Sequence, residues 1–391
     1  MTAAEQGKAR YRRLADRAAE IYAPAVHGLG LATFLGWVIL GAPWQTALTY
    51  AIAVLIITCP CALALAVPAV QIAAASRLFR QGIVIKAPDG LERVAEADMV
   101  VFDKTGTLTL GRPQLVNDAG VSDEVLASAA ALAAASKHPY AQAIVAAARA
   151  RNMAVRTAEG VEETPGRGLV RTLPRGEERL GSAEWCGISP GRWGASEVWY
   201  KRDWQPPVRF RFADALRSDA ASVIKELKRR GFSVALLSGD RKSAVGAAAL
   251  ASGIDTWQAE LTPARKIDWL TARAREGRKV LMVGDGLNDA PALAAAHASL
   301  SPASAADISQ RAADFVFQGE QLAPVLEVSS TAKRARNLSL QNFGVAFCYN
   351  IVAVPFAMAG YVTPLIAAIV MSTSSILVTL NATRLAGVRK S

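Results

Sequence analysis

Two long stretches of this 391-residue chain contain no Asp, Glu, Lys or Arg: the 56 residues between Glu20 and Arg77, and the 47 between Arg336 and Arg384. Core helices of soluble proteins are usually shorter and keep a charged face, so this lack argues against a wholly water-exposed chain. About 20 apolar residues cross a bilayer, so each stretch has room for a helical hairpin. Spans are expected at about 22–41, 46–74, 340–359 and 363–383, with turns at Gly41-Ala42-Pro43 and from Gly360 to Pro364. Neither turn carries Lys or Arg. Cysteine is scarce too. Of Cys59, Cys61, Cys186 and Cys348, three lie inside the apolar stretches, which excludes a secreted disulfide framework. The first 20 residues are polar and basic, without a cleavable signal pattern, and read as an amphipathic lead helix. No internal repeat stands out.

The charge that is present sits beside the apolar stretches. Lys8, Arg10, Arg12, Arg13 and Arg17 precede the first, and Arg77, Arg80 and Lys86 follow it. Lys333, Arg334 and Arg336 precede the second, and Arg384, Arg389 and Lys390 follow it. By the positive-inside rule both termini and the middle region are cytoplasmic. The net charge of +11 is then largely a juxtamembrane patch facing anionic lipid, and no nucleic-acid partner is required.

Between the apolar stretches lies a polar block of about 255 residues, enough for more than one domain. Short apolar runs at Met99–Phe102, Val234–Leu237 and Val280–Val283 read as strands, and Ala-rich helical segments separate the last two. That alternation predicts a parallel, doubly wound sheet. The first strand is remote from the others, so residues 116–208 are expected to be a domain inserted into the sheet domain.

Three of these strands end in phosphate-handling chemistry. Phe102 is followed by Asp103-Lys104-Thr105-Gly106-Thr107-Leu108-Thr109, Leu237 by Ser238-Gly239-Asp240, and Val283 by Gly284-Asp285-Gly286-Leu287-Asn288-Asp289. Ligands bind beyond the carboxyl ends of such strands. A carboxylate there can attack a phosphoryl group, with further carboxylates for Mg2+ and donors for the equatorial oxygens. Lys266 can add a positive charge. An Asp at a strand end can also serve only as a local cap, but three such loops in this order argue for a site. In the insert, Ser136-Lys137-His138-Pro139 and Gly166-Arg167-Gly168 are weak signals alone.

Within the second expected span, Cys59-Pro60-Cys61 combines two soft thiols with a helix-breaking proline. The bend can turn both sulfurs inward, and thiolates select Cu(I) or related ions. Two small cysteines packed in a kinked helix is the alternative. The third span holds Asn342, Tyr349 and Asn350 and the fourth Met371-Ser372-Thr373-Ser374-Ser375; their Asn and Ser residues would be costly against lipid and are expected to face the bundle interior, and Met371 adds a thioether suited to Cu(I). Cys348 and Cys186 read as packing residues.

Taken together, these segments resemble heavy-metal P-type ATPases within the haloacid dehalogenase superfamily. Asp103 to Thr109 is similar to their phosphorylation signature. Ser136 to Pro139 resembles their Ser-Glu-His-Pro, and Gly166-Arg167-Gly168 their Gly-x-Gly. Cys59-Pro60-Cys61, Tyr349-Asn350 and Met371 to Ser375 resemble the copper-transporting subgroup. The resemblance implies that Asp103, within a signature that includes Lys104, becomes the aspartyl phosphate. It implies that Asp285 and Asp289 hold Mg2+ with Asp103 and the Thr105 carbonyl, and that Ser238, Gly239, Asp240 and Lys266 serve the phosphate, with Asn288 supporting the loop. His138, Pro139, Gly166 and Gly168 would meet ATP. Cys59, Cys61 and Met371, then Tyr349, Asn350 and Ser375, would take Cu(I). Ser238 stands where the family usually has Thr and keeps the hydroxyl. Lys137 replaces the usual Glu and reverses the charge. Zinc-type relatives typically carry Lys and Asp in the last two spans, and this chain has neither there.

The implied architecture is a four-span α-helical membrane bundle plus an α/β part. The latter is a doubly wound, haloacid-dehalogenase-like phosphorylation domain, 83–115 with 209–325, carrying an inserted α+β nucleotide-binding domain, 116–208. Residues 1–82 and 326–391 supply the lead helix and membrane hairpins. The family's actuator motif Thr-Gly-Glu and a soluble Cys-x-x-Cys domain do not occur. The expectation is therefore a C-terminal portion or one half of a Cu(I) pump in a bacterial inner membrane, served by a copper donor chaperone and a partner chain with an actuator. A membrane-tethered phosphatase of the same superfamily and a non-enzymatic copper-binding membrane protein are the competing readings.

Overall fold

A computed structural model of the chain describes residues 14–59, 61–116, 120–189, 197–285, 289–304 and 307–386. Three apolar helices come first: α1 (Leu14–Ile39), α2 (Trp44–Ile57) and α3 (Cys61–Phe79). The expected span at 46–74 is thus two helices. At the break Thr58 turns its hydroxyl onto the Val54 carbonyl at 2.7 Å, and the Cys59 N–H donates to Ile56 O at 3.1 Å, tightening the last turn. Proline has no N–H with which to carry the ladder on. Pro60 and the Cys61 side chain lie outside what is described.

The chain then forms β1 (Ile83–Ile85), α4 (Gly90–Glu96) and β2 (Met99–Asp103). An excursion follows through β3 (Thr109–Leu115), α5 (Asp123–Ala133), α6 (Pro139–Ala150), β4 (Val161–Thr164), β5 (Gly168–Leu173), β6 (Gly176–Gly181), β7 (Glu197–Arg202) and β8 (Val208–Leu216). The return leg is α7 (Ala220–Arg229), β9 (Ser233–Leu237), α8 (Lys242–Ser252), β10 (Thr256–Gln258), α9 (Pro263–Arg275), β11 (Val280–Val283), α10 (Ala290–Ala295), β12 (Ala298–Pro302), α11 (Asp307–Ala312) and β13 (Phe315–Phe317). Two long helices, α12 (Ala323–Met358) and α13 (Pro364–Thr383), complete the described chain.

Seven strands make one sheet in the order β1-β13-β12-β11-β2-β9-β10, parallel except for β1 against β13. All five residues of β2 are buried. That is why it reads as an unbroken apolar run: helices cover both faces of a parallel sheet. Buried Arg93 on α4 makes two 2.8 Å hydrogen bonds to buried Asp314 beside β13, locking α4 to the sheet.

Residues Leu108–Arg217 form a separate compact unit. It is wider than the expected 116–208 because β3 and β8, which flank the insert, pair antiparallel with each other. Its sheet runs β3-β8-β7-β6-β5-β4, and α5 and α6 contribute Leu126, Leu132 and Ile144 to its core.

Helix α12, at 36 residues, is about 54 Å long and exceeds a bilayer's apolar thickness. It and α13 are long and apolar enough to cross a membrane; the apolar parts of α1, α2 and α3 are shorter. Small residues line the helix contacts: Ala53, Ala357 and Ala367 in one cluster, Ala66 and Ala346 in another. Buried Asn342 donates to Ala66 O at 3.3 Å and accepts from Asn381 Nδ2 at 2.8 Å. The start of α12 belongs to the sheet unit. Asp219 accepts from the N–H groups of Leu322 (2.8 Å) and Ala323 (2.8 Å), Arg230 donates to Leu326 O at 3.1 Å, and Lys333 Nζ lies 4.3 Å from the Phe232 ring centre.

Asp219→Ala removes a charge-assisted cap from α12. It should destabilise the sheet unit by about 1–2 kcal/mol and speed hydrogen exchange at Leu322 and Ala323. Unchanged exchange there would refute the cap.

Candidate functional site

The three strand-end loops lie side by side because β2 runs between β11 and β9, with Phe102 in register with Val283 and Asp103 with Leu237. Asp103 ends β2 and is 5% exposed. Asp103, Asp285 and Asp289 each bring a carboxylate oxygen within 4.8 Å of the others. Lys266 reaches in from the first turns of α9. That helix is started by Pro263 and by the Thr262 hydroxyl, which accepts from the Arg265 N–H at 3.3 Å. Its ammonium lies 2.5 Å from Asp103 Oδ1 and 2.6 Å from Asp289 Oδ1.

Burial, with the charge of Asp289, pushes the Asp103 carboxyl up to about 7, while Lys266 opposes the rise. Burial also works against the Lys266 charge, but Asp103 and Asp289 outweigh it and raise its pKa. Three converging carboxylates with one ammonium are an oxygen-rich set that suits a hard divalent cation such as Mg2+.

The second loop closes the other side. Lys104 Nζ pairs with Asp240 Oδ2 at 2.7 Å, and the Thr105 hydroxyl donates to the same oxygen at 3.4 Å. Buried Ser238 accepts from the Asp240 N–H at 3.1 Å, and its backbone bonds Gln258 and Leu261 at 3.0 Å each. Gly239 has Leu261 O only 3.2 Å from where a Cβ would sit. Gly106 turns the first loop with φ +67°, and a Cβ there would overlap the Asp285 carboxylate. Glycine is therefore needed for both its backbone angle and its bareness. Asn288 falls outside the described residues.

In the insert a cleft of about 280 Å³ is lined by Ser136, His138, Tyr140, Glu163, Gly166 and Arg167, among others. His138 caps α6, its Nδ1 accepting from the Tyr140 N–H at 3.3 Å, and Pro139 takes the first helical position. His138 also lines the cleft. Lys137 is exposed and not among the lining residues, so the charge reversal lies off the cleft wall. Gly166 has φ +76° with open space around it. Gly168 pairs with Gly181 across β5 and β6, and a Cβ on either would strike the other's backbone. Gly181 was not singled out from sequence; its signal is visible only once the strands are paired.

The residues proposed for the metal path lie on the apolar helices. Cys59 is half-buried at the break after α2 and is disulfide-bonded. Tyr349, on α12, packs against the cluster that holds Val54 and Ile57. Met371 and Ser375 are half-buried on α13, and the Ser375 hydroxyl donates to Met371 O at 3.2 Å. Asn350 Oδ1 and Ser374 Oγ are shielded from solvent without a hydrogen-bond partner among the described residues. Such atoms are costly unless a further ligand satisfies them. Cys348 is exposed, and buried Cys186 donates to Trp199 O at 3.2 Å.

A family model for haloacid dehalogenase-like hydrolases matches residues 97–297, and the chain belongs to that family. Within it, the chain aligns with metal-transporting P-type ATPases. The copper-exporting P-type ATPase of Mycobacterium tuberculosis strain H37Rv is 37% identical over 398 residues, covering 98% of this chain and 52% of that protein. Nitrogen fixation protein FixI of Rhizobium meliloti strain 1021 is 48% identical over 386 residues, covering 98% of this chain and 51% of that protein. The crystal structure of a zinc-transporting PIB-type ATPase in its E2.Pi state matches with a TM-score of 0.84 and 30% identity, over 98% of this chain and 66% of that one. The chain spans about half the length of the curated relatives it matches.

Gly106→Ala must displace Asp285 and should weaken divalent-cation binding at least about ten-fold, read by Mn2+ titration. Asp103→Asn should stabilise the cation-free protein. Its folded pKa, about 7, lies above its ordinary value of 3.8, so the ionisation penalty is absent below about pH 4 and complete above about pH 7. The gain in melting temperature should be largest at pH 8 and shrink towards pH 4; a gain independent of pH would contradict the assignment.

Proposed function

We propose that this chain is the catalytic and C-terminal membrane part of an ATP-driven Cu(I) exporter that passes through an aspartyl phosphate on Asp103. The carrying observation is the Asp103–Lys266–Asp289 contact beside Asp285, at the ends of adjacent parallel strands. Alignment over 98% of the chain with metal-transporting P-type ATPases supports it.

An Asp103 carboxylate oxygen attacks the γ-phosphorus of ATP, the bond to the bridging oxygen breaks, and ADP leaves. Lys266 and the Ser238 hydroxyl donate to the transferring oxygens, while the Lys104–Asp240 pair holds the first two loops together. When bound, Mg2+ held by Asp103, Asp285, Asp289 and the Thr105 carbonyl supplies the positive charge that offsets the carboxylates and phosphates. The cleft with His138, Pro139, Gly166 and Gly168 takes the nucleotide.

Cu(I) is the cargo. The soft set Cys59, Cys61 and Met371 binds it, and Tyr349, Asn350 and Ser375 complete the path. Thiolates are required, so the cysteines load in their reduced form. The chain spans a bacterial membrane four times, and the basic flanks of the spans favour cytoplasmic soluble units and termini. A copper donor chaperone delivers the ion, and a separate polypeptide or segment bearing an actuator completes turnover. A tethered phosphatase would need neither the insert's cleft nor the soft ligands.

Acid-stable labelling by γ-labelled ATP tests this in the reduced, membrane-inserted chain. Label should appear in wild type, vanish in Asp103→Asn, and respond to Cu(I) only while Cys59 is present. Absence of label in wild type would sink the phosphorylation claim. A response to Cu(I) that survives Cys59→Ser would sink the metal assignment.

A further inference from the structure

We infer that Glu163 is the specificity-determining residue of the insert's cleft, accepting a hydrogen bond from the exocyclic amino group of adenine. This rests on the reading of that cleft as the nucleotide site. One wall is aromatic. His138 and Tyr140 have ring centres 5.3 Å apart, and Tyr140 stacks on Phe212 at 4.7 Å, which suits a planar base. Gly166, in the turn before β5, leaves open space at the cleft, and Gly168 and Gly181 also line it.

Glu163, on β4, lines the same cleft, and its carboxylate is not loose. Oε1 accepts from the Ser136 hydroxyl at 2.9 Å. Ser136 is 3% exposed and doubly fixed: its Oγ accepts from the His138 N–H at 3.1 Å, and its carbonyl accepts from Gln142 Nε2 at 2.6 Å. A hydroxyl held by the His138 segment therefore orients a carboxylate toward the space beside the His138 ring. A carboxylate only accepts hydrogen bonds. It matches the amino group of adenine and repels the carbonyl oxygen that guanine carries at the same ring position. Glu163 is exposed and keeps its Ser136 bond with either base, so the discrimination is the difference between one accepted hydrogen bond and one repulsive contact. Glu197 also lines the cleft, but its carboxylate faces Arg209 at 4.0 Å. Arg167 supplies the cationic group in the cleft wall, suited to phosphate.

The test is competition of ATP and GTP against a fluorescent ATP analogue on the full chain in lipid nanodiscs. Wild type should prefer ATP by at least about ten-fold. Glu163→Ala should weaken ATP about ten-fold and strengthen GTP by removing the repulsion, so that the preference is lost. Glu163→Gln, nearly isosteric and able to donate to a guanine carbonyl, should narrow the preference by strengthening GTP. Ser136→Ala should narrow it partly by releasing the carboxylate. Arg167→Ala reports on the cleft itself. If Arg167→Ala weakens ATP while both Glu163 variants keep wild-type affinity and preference, this inference fails and the nucleotide reading stands. If none of these variants changes ATP binding, the cleft is not the nucleotide site, and the broader reading fails with it.

Discussion

Buried Asp103 and Asp289, with half-buried Asp285 beside them, repel one another unless a proton or a cation intervenes, and in this protein the ammonium of Lys266 lies between Asp103 and Asp289. The arrangement is costly to isolate from water, and the raised pKa of Asp103 records that cost. What holds it is the doubly wound sheet. The sheet sets β2 between β9 and β11, brings their loops to one edge and aims α9 across them. Gly106 shows how tight the fit is, since its missing side chain is where the Asp285 carboxylate sits. A site with this much like charge is poised to gain from a bound divalent cation.

The link from this site to the apolar helices is one continuous element. Helix α12 begins under the Asp219 carboxylate and beside α7, and it continues unbroken into the apolar bundle, where Asn342 and Asn381 join it to α3 and α13. Tyr349 and Asn350 lie further along the same helix, which the sheet unit holds at its start. The insert is separate in its packing, with its own core of Leu126, Ile144, Tyr200 and Phe210. The cleft lies wholly within it.

Much of this was legible in the residues. Asp103 stood after an all-apolar run, and such a run is what a central parallel strand must be. Ser238 to Asp240 and Asp285 to Asp289 stood after two others. The insert's edges were less legible, because β3 has few apolar residues and its partner β8, remote in sequence, shows itself only by pairing with it. The second span was expected to bend at Cys59-Pro60-Cys61, and there the helix ends at Ile57 and a new one starts at Cys61. The roles of Asp219, Gly181 and Glu163 left no local signal, since each meets partners distant in sequence.

By itself, then, the sequence determined the composition-driven features: two charge-free stretches, strand-end carboxylates, a proline between cysteines, and basic flanks. These follow from local chemistry, from the solvent each segment can tolerate and from the backbone each residue allows. Tertiary structure alone decided which carboxylates Lys266 bridges, why residue 106 has no room for a side chain, which helix Asp219 caps and which hydroxyl steers Glu163. Those are distances between residues remote in sequence, such as Asp103 and Lys266, 163 positions apart, and a chain acquires them only when its strands take their order in the sheet.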